Sequence, residues 1–328
     1  YELTKHVSLL DLDPMALIRL RRTGRATIRL PEALFDLDGP GHYFRRIRSV
    51  ALSTPSVTGP YTGVNCTLSL LKSSVRTSPV LRDGGYARVD ADDDRFSDHL
   101  GAIQSVATSS GQNDSGLFEP NPRDEHFAPF ENAGLIGEWQ IELPADPTKG
   151  DPLPFDFGTI SDVILHIRYT AREGGDLLRR EAIANLKRLI QDGTAPGCVR
   201  MLSARHEFAS PWSRFHTDVP KDEERHVLRL PFGTEHFPFI SRDRLTTAYR
   251  VLLVGRSSAA EVPATMEVFG THDSELAVAT LTKDVTLGGL MVGELAAAAL
   301  PASPAQEITF YLDSTALADL WVLVTWGG

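Results

Sequence analysis

At 328 residues the chain exceeds the ordinary size of one domain and predicts two. A hydrophobic share of 42% supplies a core for each, while a net charge of −10 excludes a global field for gathering nucleic-acid phosphates or an anionic membrane surface. The 26 glycines and 21 prolines fall between short apolar runs, the punctuation of many brief strands.

In chain order, Leu9 to Arg22 carries apolar residues at a loose helical spacing and predicts a short helix entered at Asp13, with Pro14 at its first position and Gly24 at its end. The period then changes. Strands are expected at Ala26 to Leu30, Arg45 to Ser53, Val64 to Leu71, Ile103 to Thr108, Gly137 to Leu143 and Val163 to Tyr169. In the last of these Val163, Leu165, Ile167 and Tyr169 face one way, and Ile164, His166 and Arg168 the other. An amphipathic helix follows over Leu177 to Ile190, with Leu177, Leu178, Ala182, Ile183, Leu186, Leu189 and Ile190 on its apolar stripe.

Strands resume at Val199 to Ser203, His226 to Leu230, Tyr249 to Val254, Thr265 to Phe269, Glu307 to Leu312 and Leu320 to Trp326. The fold class is mainly β: two antiparallel, jelly-roll-like β-sandwiches joined by the amphipathic helix, with a short N-terminal helix. The division falls near Gly175, giving units 1–175 and 176–328, and no internal repeat of fixed period is visible. Cys66 and Cys198 lie in different units, so both are expected as free thiols. No leader and no apolar run of membrane-spanning length is present, and the start at Tyr1 reads as that of an excised piece.

The chemistry-bearing patterns are thin. His206, His216, His226 and His236 recur every ten residues, but the short local spacings of zinc ligands are missing. The run Asp90 to Asp94 fails the calcium-loop pattern, because Arg95 stands where Gly is required and Gly101 where Glu is required, and it reads as a solvated acidic loop. The nucleophile elbow, the phosphate-cradling loop and the dinucleotide fingerprint are all missing. The expectation is a non-enzyme without metal or cofactor.

Three blocks in order, LPEALFDLDGPGHYFRRIRSVALSTPSVTGPYTGVNCT from Leu30 to Thr67, FEPNPRDEHFAPFENAGLIGEWQIEL from Phe118 to Leu143, and DFGTISDVILHIRYTAREGG from Asp156 to Gly175, resemble the C-terminal region of the A component of bacterial insecticidal Tc (toxin complex) proteins. The resemblance implies a secreted or extracellular bacterial toxin whose A component forms a homopentameric channel after a long helical shaft, with Tyr1 to Leu3 as the shaft's last turn. It also implies that this region docks the β-propeller-bearing B component. Without the shaft, the fragment is expected to be a monomer that neither inserts in membranes nor binds nucleic acid.

Arg45 and Arg46 point to opposite faces of a strand, and serve either as an edge guarded by charge or as a partner-facing patch. Phe127 and Phe130, bracketed by Asp124, Glu125 and Glu131, form either an aromatic anchor with an acidic rim or a loop that tucks its rings into the core. Tyr169, Arg172, Glu173, Gly174 and Gly175 read as a structural joint, with Arg172 and Glu173 or a neighbouring acid as a buried pair. The rival class is a carbohydrate-binding module that displays Tyr61, Trp139, Trp212 and Phe237 to sugars.

Overall fold

The computed structural model describes residues 1–59, 63–109, 117–118, 129–218 and 225–327. The chain is mainly β with antiparallel sheets, and it divides into two compact units, Tyr1–Leu189 and Ile190–Gly328. The first contains β1 (Glu2–Ser8), α1 (Leu9–Leu12), α2 (Pro14–Thr23), β2 (Arg25–Leu30), α3 (Glu32–Asp36), β3 (His42–Ser53), β4 (Val64–Arg76), β5 (Phe96–Ser109), β6 (Leu117–Phe118), β7 (Ile136–Glu142), β8 (Ile164–Glu173) and most of α4 (Gly175–Gln191).

Two four-stranded sheets, β1-β8-β3-β6 and β2-β7-β4-β5, enclose one core. First pairs with eighth, second with seventh, third with sixth and fourth with fifth, which is the jelly-roll order. The alternation of β8 sets its inner face: Leu165, Ile167 and Tyr169 are buried and Arg168 is exposed. At one end of the sandwich gather α3, the β4–β5 connection, residues 129–135 and the β8–α4 junction, because β2 and β4 end there and β3, β5 and β7 begin there.

The second unit contains β9 (Val199–Ser203), α5 (Ala209–Thr217), β10 (His226–Leu230), β11 (Thr247–Ser257), β12 (Thr265–Phe269), β13 (Ala277–Asp284), β14 (Leu290–Glu294), β15 (Ile308–Leu312) and β16 (Leu317–Gly327). They form one curled sheet, β10-β15-β12-β13-β14-β11-β16-β9. Counted from β9 as first, its halves read 1-8-3-6 and 2-7-4-5, the same order as in the first unit, joined through the β13–β14 pairing. The topology is therefore duplicated although the sequence carries no periodic repeat. Turn positions and alternation specify a jelly roll, and neither requires residue identity.

Several expectations change at the N-terminus and in the helices. Tyr1 to Leu3 do not continue a helix, since Leu3 pairs with Tyr169 in β1–β8. The helix predicted over Leu9 to Arg22 is two, broken at Asp13, whose side chain accepts from the Ala16 N–H at 3.0 Å and caps α2. On α4 only Leu178 and Ala182 are buried, and Leu177 is exposed. Gly41, at φ +80, lets the β3 entrance approach this helix: a Cβ there would lie 2.5 Å from the Arg179 Cα.

Candidate partner-binding face

The face is built on an irregularity in β3. Tyr43 pairs with Arg172 and Arg46 with Thr170, so Phe44 and Arg45 together oppose the single residue Ala171. This is a β-bulge, and it puts Phe44 at φ +55, a region costly for a bulky side chain. Beyond the bulge Arg45 and Ile47 turn inward while Arg46 and Arg48 turn outward.

Arg45 is 3% exposed. Its Nη2 donates to Asp36 Oδ1 at 2.6 Å and to the Gly39 carbonyl at 2.9 Å, and its Nη1 lies 3.6 Å from Glu32 Oε1. Glu32 and Asp36 stand one helical turn apart on α3, which places both carboxylates on one face. Arg76 at the end of β4 closes the cluster, with Nε and Nη2 donating to the two Glu32 oxygens at 2.8 and 2.7 Å. Its guanidinium lies 4.5 Å from both the Tyr86 and Phe96 ring centroids, and the Tyr86 hydroxyl donates to Asp36 Oδ2 at 2.7 Å. Two carboxylates and two guanidiniums thus balance inside the sandwich.

Arg45 is therefore no edge guard. At this point β3 is flanked by β8 on one side and by residues 129–135 on the other, with the Ile47 N–H donating to the Ala133 carbonyl at 2.9 Å and the Asn132 N–H to the Ile47 carbonyl at 2.8 Å. Arg46 lies outside, its guanidinium 4.4 Å from the Phe44 ring centroid. Arg172 takes the same ring at 4.4 Å.

The joint residues divide. Tyr169 is core, edge-on to Phe35 at 5.7 Å between centroids. Arg172 and Glu173 are exposed and not a buried pair, because Arg172 leans on Phe44 and Glu173 accepts from the Tyr1 hydroxyl at 3.0 Å. Gly175 has φ +85, whereas Gly174 has Leu178 and the Gly41 carbonyl where a Cβ would go; one glycine serves conformation and the other close approach.

Asp124, Glu125 and Phe127 lie outside the described residues. Phe130 is buried against Trp139, ring centroids 5.0 Å apart, so it packs in the core and is no surface anchor. Glu131 accepts from Arg48 at 2.6 Å. Of the aromatics that favoured a sugar-binding reading, Trp139, Trp212 and Phe237 are all buried, and Tyr61 lies outside the described residues. Among the described residues no group of three or more His, Cys, Asp or Glu could hold a metal ion.

The acidic run departs from a wholly solvated loop: Asp93 is buried and paired with Arg95 at 2.7 Å. Its neighbour Asp98 is gripped by both Arg88 nitrogens at 2.8 and 2.9 Å, and that hydrogen bonding holds its pKa down at about 2. Burial acts oppositely on Asp36, pushed up to about 6 against the pull of Arg45. A raised acid binds its proton more tightly in the folded state, so between about 6 and the ordinary 3.8 Asp36 adds stability as pH falls. A depressed acid does the reverse: the Asp98 contribution is complete above 3.8 and is lost as pH falls through about 2. Melting temperatures across pH are expected to show Asp36→Asn removing a gain between pH 6 and 4 and Asp98→Asn removing a loss between pH 4 and 2. Unchanged profiles would contradict both assignments.

Sequence reasoning missed Phe44, Glu32, Asp36, Arg76 and Tyr86. The available signal was the Glu32/Asp36 spacing just after Pro31, together with an arginine at an inward strand position.

A family model described as the Tc toxin complex TcA C-terminal TcB-binding domain matches residues 1–171, from β1 into β8. Toxin subunit YenA2 of Yersinia entomophaga is 33% identical over 195 residues, covering 56% of this chain and 14% of that protein. Among solved structures, Yersinia pseudotuberculosis TcaA-TcaB is matched at 22% identity and a TM-score of 0.32, over 53% of this chain and 10% of that one. Morganella morganii TcdA4 is matched at 20% and 0.28, over 52% and 7%. Superpositions this partial leave the assignment resting on the sequence match. By that match, over more than half its length, the chain belongs to the family of Tc toxin A-component C-terminal, TcB-binding domains.

Proposed function

We propose that the first jelly roll docks the B component of a toxin complex by equilibrium recognition, with no bond made or broken. The observation that carries this reading is the extent of the family match, which starts at Tyr1 and stops inside β8, and so follows the first sandwich. A rigid antiparallel scaffold with a bulged, arginine-bearing end offers the pre-formed surface that such docking requires. On this reading residues 1–175 carry the docking function, and 176–328 are a linker helix plus a second sandwich. The whole protein acts outside the bacterial cell as a homopentamer, and its B partner bears a β-propeller. Among the described residues no helix is long and apolar enough to cross a membrane.

Titration of a purified B component onto the immobilised 328-residue chain tests this, and saturable one-to-one binding is the expected result. Failure to bind by this chain and by the full-length A component alike would overturn it.

A further inference from the structure

We infer that the β3 bulge presents Phe44, clamped by Arg46 and Arg172, as the contact point for a carboxylate-bearing surface of the docking partner. This inference rests on the docking reading above. Three observations converge on the bulge.

The first is conformational. Phe44 holds φ +55, a left-handed conformation that persists in a bulky residue only where surrounding structure imposes it. The imposing structure is the Arg45 cluster, which anchors the next residue inside the sandwich through Asp36 and Gly39. The strain fixes a half-exposed aromatic ring at a defined point of the surface.

The second is electrostatic. On this chain of net charge −10, the other outward arginines on the strands of the first sandwich are each paired with a carboxylate: Arg25 with Glu142, Arg29 with Glu138, Arg48 with Glu131 and Arg168 with Glu2. Arg46 and Arg172 have no carboxylate partner among the described residues, and Arg46 Nε is buried without a hydrogen bond. The adjacent Glu173 carboxylate is engaged by the Tyr1 hydroxyl. Two unneutralised cations are thus gathered at one ring, an arrangement that repels itself until an anion arrives.

The third is geometric. A guanidinium lying on an aromatic ring spends its face there and keeps its in-plane N–H groups free. Those groups match the two oxygens of a carboxylate, so the clamp fits Asp and Glu side chains of a folded partner. Aromatic and arginine residues are also the types that concentrate binding energy at interfaces.

The test uses the full 328-residue chain and a purified B component, with association rates measured at low and high salt. Arg46→Glu with Arg172→Glu is expected to lower the low-salt association rate at least about tenfold and to flatten its salt dependence. Arg46→Gln with Arg172→Gln, which removes charge without reversing it, should give a smaller loss in the same direction and keeps the test valid if the reversal unfolds the chain. Arg214→Glu with Arg229→Glu, exposed positions of the second jelly roll, makes the same change in net charge and is expected to stay within about twofold of wild type. Wild-type rates and salt slopes in both Arg46/Arg172 variants, alongside a wild type that binds, overturn this inference alone. A wild type that does not bind removes the docking reading and this inference with it.

Discussion

Arg45→Met is expected to destabilise the first jelly roll by about 3–5 kcal/mol, the usual cost of removing one partner from a buried ion pair. The reason lies in what remains. Asp36 is 1% exposed, and it would keep only the Tyr86 hydroxyl after losing its 2.6 Å contact to Arg45. Glu32 would still hold Arg76, but the cluster would carry two carboxylates against one guanidinium. A methionine fills much of the arginine's volume, so the loss reports charge more than cavity. Urea unfolding should show a lower midpoint at unchanged slope. Adding Asp36→Leu to Arg45→Met should recover part of the loss, because an apolar pair needs no compensation. A single variant as stable as wild type would mean that the cluster contributes nothing, and would also remove the anchor that holds the Phe44 bulge.

That cluster marks where the sequence stops being legible. Strands such as Val199–Ser203, His226–Leu230 and Thr265–Phe269 were readable to the residue, since alternation and flanking breakers are local signals. β13 and β14 were missed because Ala277, Ala279, Lys283 and Asp284 dilute the strand formers Val278, Thr280 and Thr282, and because Leu290 to Glu294 is a five-residue run interrupted by Gly293. β1 was missed because its pattern is faint, and its partner β8 lies more than 150 residues away. The bulge is invisible for a related reason. FRRIR reads as a regular strand, and only the register against Arg172 and Thr170 reveals that Phe44 and Arg45 share one opposing residue. Phe130 shows a different limit: an aromatic among acids in a proline-rich stretch reads either as an anchor or as a core residue, and only the packing of its ring against Trp139 decides for the core.

Trp139 is the largest fully buried side chain of the first sandwich. It is fully buried, central to β7 between β2 and β4, opposite Ile28 on one side and Leu70 on the other, and edge-on to Phe130. Trp139→Ala is expected to cost about 3–5 kcal/mol through lost apolar burial and the cavity left behind. Trp139→Phe should cost far less than its volume suggests. The indole Nε1 is buried and has no hydrogen-bond partner among the described residues, so a phenylalanine removes an unpaired donor together with part of the ring. The two terms oppose, and the Phe variant is expected to lose no more than about 1 kcal/mol. Chemical unfolding of the three proteins separates the terms. A Phe variant as unstable as the Ala variant would show that the indole donor is satisfied by water and that shape alone holds the site; equal stability of all three would show that the sandwich does not depend on this residue.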